Sequence, residues 1–200
     1  MEINKKTIFD CYILAGGKSS RMGNDKGLLL FNGKPLVQKV IEELSPVVNK
    51  VIIVSNNHEY EKFGLQVLED LIKNIGPAGG IHAALSNAQS EQIFIVSCDM
   101  PFITAQAAAY MMQNAGHTQI ALPFHHGKIQ PLFGVYSGQC LPKWKQLIEQ
   151  GIIKLQEMIT HFDLLKIDIE NNKLFNDLLF TNINDKNDFN KALKQSEHGN

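Results

Sequence analysis

The sequence predicts an α/β protein, a single three-layer α/β/α domain built on a mostly parallel central sheet. Three observations carry this. Aliphatic runs end abruptly in glycine or polar residues, as in IFDCYILAGG, VIIVSNN and IFIVSCD. Strands buried on both faces and meeting a ligand-binding edge read this way. Helix-length amphipathic segments separate the runs, the alternation expected of strand–helix–strand units. The 200 residues hold no long Gly/Ser or Pro-rich linker, no internal repeat and no low-complexity block. The chain is therefore read as one domain over 1–200, with flexible ends at 1–6 and 196–200.

The elements follow in order. IFDCYILA (8–15) reads as a strand, LLLF (28–31) as a short extended piece, and NGKP (32–35) as a turn. Pro35 suits the first turn of a helix whose Leu36, Val37, Val40, Ile41 and Leu44 share one face. VIIVS (51–55), LQVLED (65–70) and IFIVSCD (93–99) read as strands. GPAGGIHAALSNA (76–88) reads as a loop feeding a helix. Thr104 suits the N-cap of an Ala-rich helix running to about Asn114, with Gly116 near its end. IALP (120–123) and IQPLFGVY (129–136) are expected to be extended, and helical spacing returns at 139–150, 153–161 and after Asn184. Gly16-Gly17, Ser55-Asn56-Asn57 and Cys98-Asp99 all end strands and are expected to cluster.

Composition narrows the function. With 44% hydrophobic and 20% charged residues the chain suits a globular protein with a real core. A formal net charge of −1 gives no general attraction to nucleic acid or to an anionic membrane. No apolar run reaches the roughly 18 residues of a membrane span, and the N-terminal stretch lacks the form of a signal peptide. Cys11, Cys98 and Cys140 are odd in number and widely spaced, which suits reduced thiols in the cytoplasm. His125-His126 lacks a spaced carboxylate or a third ligand and reads as a surface turn. No Ser–His–Asp or Cys–His set can be assembled.

The stretch ILAGGKSSRMGNDKGL (13–28) is the most informative. Adjacent glycines after a strand let backbone N–H groups approach a ligand that a Cβ would hold away, and several such groups make an anion-binding concavity. Residues 18–34 carry Lys18, Arg21, Lys26 and Lys34 against Asp25 alone, a local excess of three positive charges. A unit charge pair at about 4 Å is worth roughly 4 kcal/mol gross at an effective dielectric near 20, so two or three contacts could hold a triphosphate. The spacing is neither GxGxxG nor GxxxxGK[ST], which sets aside the dinucleotide and Walker patterns. Asp99, directly after a buried strand, suits a divalent cation, because Mg2+ takes one or two carboxylates and fills its other positions with phosphate oxygens and water. Taken by itself, Asp99 equally suits capping the turn before Met100-Pro101.

LAGGKSSRMGNDKGLLLFNGKPL, followed in order by VLED (67–70), GPAGGIHAAL (76–85), SCDMPF (97–102), QPLFGVY (130–136) and NINDKNDF (182–189), resembles the nucleotidyltransferases with LAGG, RMG and DK elements. It is most similar to the molybdenum cofactor guanylyltransferases, along nearly the whole chain. The resemblance implies a Rossmann-like, nucleotide-diphospho-sugar transferase-like fold. It also implies transfer of GMP from GTP to the terminal phosphate of the molybdopterin cofactor, forming molybdopterin guanine dinucleotide and pyrophosphate with Mg2+.

It further implies that Leu14 and the backbone around Ala15, Gly16 and Gly17 hold the nucleotide, that Arg21 and Lys26 neutralise charge on the triphosphate, and that Asp99 is the metal ligand. Asp70 is expected near the ribose or the metal, and Asn57, Gly79 and Gly80 near guanine and ribose. Asn182 and Asn184 match a late NxN element beside the metal and phosphates, although Asp185-Lys186-Asn187-Asp188 stands where the family usually has Thr-Pro and acidic residues. The 125–160 region is a candidate wall for the pterin. The expected partners are GTP and the molybdopterin cofactor, with transient contact to molybdoenzymes or cofactor-biosynthesis proteins and neither nucleic acid nor membrane; the expected state is a monomer. A molybdopterin cytidylyltransferase, a sugar-phosphate nucleotidylyltransferase and a non-catalytic nucleotide carrier remain as alternatives.

Overall fold

The computed structural model describes residues 7–16 and 25–197. Its strands are β1 (Asp10–Leu14), β2 (Leu30–Phe31), β3 (Lys34–Pro35), β4 (Lys50–Val54), β5 (Gln66–Leu68), β6 (Gln92–Ser97), β7 (Ile120–His125), β8 (Lys128–Ile129), β9 (Phe133–Ser137) and β10 (Leu164–Asp168). Its helices are α1 (Leu36–Leu44), α2 (Pro77–Asn87), α3 (Ala105–Asn114), α4 (Leu141–Glu149), α5 (Leu155–Met158) and α6 (Lys186–Glu197). The main sheet runs β10-β7-β9-β6-β1-β4-β5, and β8 extends it from β7. β1 is parallel to β4 and β6, β4 to β5, and β7 to β10, whereas β9 runs antiparallel to both β6 and β7. The carboxyl ends of β1, β4, β5, β6, β7 and β10 therefore share one edge.

Alternation along the strands builds two core layers, because successive side chains point to opposite faces. Cys11, Ile13, Val51, Ile53, Phe94 and Val96 face α1 and α3, where Val37, Val40, Leu44, Ala108 and Met111 meet them. Tyr12, Ile52, Ile93 and Ile95 face the other way, onto Ile81, Trp144, Leu147 and Met158 of α2, α4 and α5. A third cluster joins Phe31 and Leu36 to Ile183 and Ala192, which packs α6 against the start of α1. The apolar spacing read from the sequence of α1 is the buried face observed, with Leu36, Val37, Val40 and Leu44 buried. Thr104 caps α3, its hydroxyl accepting from the Ala107 amide at 3.2 Å. Among the described residues, no helix is long and apolar enough to cross a membrane.

Three details differ from the sequence expectations. The extended piece expected at 28–31 begins only at Leu30, because residues 26–28 form a 3-10 turn capped by the Asp25 side chain, which accepts from the Gly27 amide. Pro35 sits just before α1, paired with Leu30 across a hairpin whose Asn32-Gly33 turn has φ of 50° and 77°. Two positive φ angles mark the mirror-image turn that matches strand twist. β10 was not anticipated: it is a peripheral strand in which only Ile167 is buried, so it lacks the apolar run that marks a central strand.

Candidate active site

Three strand ends are laced together where the glycine-rich stretch begins. Leu14 lies beside Val54 and Ser97 in register. The Ala15 amide continues the ladder to the Val54 carbonyl at 2.9 Å, and the Cys98 amide donates to the Leu14 carbonyl at 3.1 Å. The Ala15 N–H is thus engaged within the protein and is not free for an anion. Gly16 has φ of 131°, and a Cβ there would stand 3.3 Å from Ser55 Oγ, so both backbone and space call for glycine. Gly17 and Arg21 lie outside the described residues.

Lys26 follows, on a turn held from several sides. Asp25 accepts from the Tyr60 hydroxyl, from the Asn57 amide nitrogen at 3.2 Å and from the Gly27 backbone. Tyr60 is fully buried, and burial pushes its phenol far above the ordinary range, which keeps it a protonated donor. Thus fixed, Lys26 Nζ lies 2.9 Å from Asn184 Oδ1 and 3.5 Å from Asp99 Oδ2. The Ser97 hydroxyl donates to the other Asp99 oxygen at 2.6 Å, and the Ile183 amide donates to the Asp99 carbonyl at 3.0 Å. Residues 26, 99 and 184, separated by 73 and 158 positions from the first, therefore meet in space. Asn182 is half-buried, one residue before the Ile183 anchor. The Lys26–Asp99 attraction is about 5 kcal/mol gross at an effective dielectric near 20. Partial exposure of both side chains leaves a net of order 1 kcal/mol or less. A second charged ligand can therefore displace it at small cost.

A second group lies where β4 and β5 end. Asp70 accepts from the Asn56 side-chain amide at 2.8 Å and returns its own N–H to Asn56 Oδ1 at 3.1 Å. Burial raises the Asp70 carboxyl above its usual range, outweighing the opposing Asn56 bond and Lys73. Gly79 and Gly80 occupy the first turn of α2, where both are buried and the Gly79 N–H donates to the Gly76 carbonyl at 3.0 Å. What they supply is close approach: a Cβ on Gly79 would reach 2.7 Å from the Ile72 carbonyl, and one on Gly80 would reach 3.2 Å from Leu14. Asn57 is likewise turned inward, capping the 3-10 helix His58–Phe63 and holding Asp25.

Residues 11–163 match the family described as "MobA-like NTP transferase domain". The chain belongs to the MobA-like NTP transferase family. It is 35% identical over 189 residues to a protein of Pelotomaculum thermopropionicum named "Probable molybdenum cofactor guanylyltransferase", covering 93% of this chain and 92% of the relative. It is 40% identical over 148 residues to the molybdenum cofactor guanylyltransferase of Vibrio parahaemolyticus, covering 72% and 75%. Among solved structures it resembles molybdopterin-guanine dinucleotide biosynthesis protein A of Archaeoglobus fulgidus, with a TM-score of 0.79 and 25% identity over 95% of this chain and all of that one.

The family match spans Lys26, Asp70, Gly79, Gly80 and Asp99, whereas Asn182 and Asn184 lie beyond it, and the fold brings Asn184 to Lys26. Asp99 has the donor chemistry to hold a hard divalent cation. Its carboxylate is a hard oxygen donor at a strand end, one oxygen oriented by Ser97 and the other 3.5 Å from the Lys26 ammonium. Sequence reasoning missed the supports Asp25, Tyr60 and Ser97. The D-x-G capping pattern at 25–27 was the available signal for the first, and no local signal marks the other two. All three cysteines are free and buried, and burial pushes the Cys98 thiol far up, so it is no nucleophile.

Proposed function

We propose that this protein transfers GMP from GTP to the terminal phosphate of the molybdopterin cofactor, with Mg2+, in the cytoplasm. The observation that carries the reading is the meeting of Lys26, Asp99 and Asn184 at the carboxyl ends of β1 and β6, in a chain that belongs to the NTP transferases. The acceptor's phosphate oxygen attacks the α-phosphorus of GTP; the new P–O bond forms as the bond to the β-phosphate oxygen breaks, and pyrophosphate leaves with that electron pair. The nucleophile arrives as an anion, so no Ser, Cys or strong base is needed. Catalysis then rests on alignment and on charge stabilisation.

Gly16 and Gly17 admit the triphosphate to the backbone, and Arg21 and Lys26 balance the charge that grows on the leaving group. Asn184 keeps Lys26 aimed while its Asp99 contact is given up to ligand. Asp99, oriented by Ser97, holds Mg2+, which when bound withdraws charge from the α-phosphate and pyrophosphate. Leu14, Asn57, Asp70, Gly79 and Gly80 frame ribose and guanine, Asn57 by fixing Asp25 and the glycines by close packing. Asn182 accompanies Asn184 beside the phosphates.

The test measures pyrophosphate release by the purified chain with molybdopterin cofactor and either GTP or CTP. GTP should be consumed in strong preference to CTP. Lys26→Ala and Asp99→Ala should each lower turnover by roughly 100-fold or more while circular dichroism stays unchanged. Near wild-type rates in both variants would overturn the assignment, and a preference for CTP would overturn the choice of base.

A further inference from the structure

We propose that His125, His126, Glu170 and Asp177 form a binding site for one divalent transition-metal ion of the zinc class, separate from the residues assigned to Mg2+. The site is made by the topology. β7 and β8 are joined by a two-residue turn, His126-Gly127, with φ of 48° and 73°. Neighbouring side chains of a regular strand point to opposite faces, but this turn brings the two imidazoles together, their centroids 3.9 Å apart and their planes 42° apart. β10 lies parallel to β7 with Asp168 beside Phe124, so Glu170, two residues past the strand end, emerges at the same edge. Asp177 arrives from the segment that follows.

The donor atoms are already gathered. One nitrogen of each histidine and a Glu170 oxygen all lie within 4.8 Å of one another. Asp177 Oδ1 lies 3.1 Å from His126 Nε2 and 3.5 Å from His125 Nε2. A tetrahedral ion bound at about 2.0–2.1 Å holds its donors roughly 3.4 Å apart, so His125, His126 and Glu170 need only small side-chain shifts, with Asp177 at the far nitrogen of His126. His126 meets carboxylates at both ring nitrogens, with Glu170 2.6 Å from Nδ1 and Asp177 at Nε2. One nitrogen can thus coordinate while the other donates its N–H to the opposite carboxylate, the arrangement that orients metal-bound histidines. The His125 side chain is only 10% exposed, a fixed and largely dry donor against Phe180, whereas the other three side chains are open for entry. Two imidazoles with carboxylates select zinc-class ions over Mg2+. Bound there, the ion would tie the β7–β8 turn to the chain that continues from β10 to Asn182 and Asn184.

The test titrates the metal-free full chain with Zn2+ against a chelating indicator in excess Mg2+, and with Co2+ read by its visible absorption. One equivalent should bind at micromolar or tighter affinity and raise the melting temperature, since binding only the native state stabilises it. His126→Asn keeps a residue that tolerates the left-handed turn and should weaken binding about 100-fold or more. Glu170→Gln and Asp177→Asn should each weaken it about 10- to 100-fold, and Asp99→Ala should leave it unchanged. Absence of saturable Zn2+ binding in the micromolar range would overturn the proposal and leave these contacts as ion pairs. So would equal affinity in His126→Asn and wild type, or binding that depends on Asp99 instead.

Discussion

Gly27 offers a sharp test of how the Lys26 turn is supported. It is buried, and a Cβ built on it would overlap the Tyr60 hydroxyl and stand 3.1 Å from both Tyr60 Cζ and Cys98 Sγ. The ring cannot swing aside, because Tyr60 is fully buried and its hydroxyl is committed to Asp25. Gly27→Ala must therefore push Tyr60 off Asp25. Overpacking of this kind costs about 1–3 kcal/mol, and a hydrogen bond to a charged group adds about 1.5–3 kcal/mol. A loss of about 2.5–6 kcal/mol lowers the melting temperature of a domain this size by roughly 5–24 °C. Tyr60→Phe alone should cost about 1.5–3 kcal/mol by removing the same hydrogen bond. In that background the hydroxyl is gone, and Gly27→Ala should cost only about 1 kcal/mol from the remaining 3.1 Å approaches. The double-mutant cycle, read by denaturant unfolding, should show a coupling of about 1.5–5 kcal/mol. If Gly27→Ala costs the same in both backgrounds, Tyr60 is not the obstacle and this account of the turn is wrong.

Trp144→Phe should cost about 2–4 kcal/mol, since it leaves the buried Ala78 carbonyl without the 3.0 Å indole N–H and opens a void between α2 and α4; a loss under about 0.5 kcal/mol would contradict this. Asp70 has a folded pKa raised by burial, so its contribution to stability is fully present below the unfolded value of 3.8 and is lost as pH rises through the folded pKa. Asp70→Asn should flatten that decline between acid and neutral pH in urea titrations, and an unchanged profile would reject the desolvation argument. The three free cysteines are buried, so a thiol reagent should label the native protein slowly and release all three only on unfolding; fast labelling of Cys98 would contradict its placement.

Much of the fold can be read from the chain because local rules and the global arrangement agree. The runs at 51–55 and 93–99 are apolar on both faces and become central strands, Asn32-Gly33 makes the hairpin turn, and Thr104 caps its helix. The direction of β9 could not be read, since alternation records which face a residue takes and not which way the strand runs. β10 escaped notice because a peripheral strand needs little apolar surface. Lys26, Asp99 and Asn184 were each marked by residue type at a strand end or in a motif, and the fold supplied their meeting. The His125-His126 pair has no partner in its local sequence, because Glu170 and Asp177 lie 44 and 51 residues from His126. Only the parallel neighbour β10 brings that segment back.

Asn184 reaching Lys26 has a consequence for biosynthesis. Polypeptides emerge from the ribosome amino end first and begin to organise as they emerge. The nascent chain can pair β1, β4 and β6 long before residue 184 has cleared the exit tunnel, yet until then the lysine has no amide to steady it. A half-made polypeptide would thus hold Lys26 near Asp99 without the Asn184 clasp, which closes only near the end of translation.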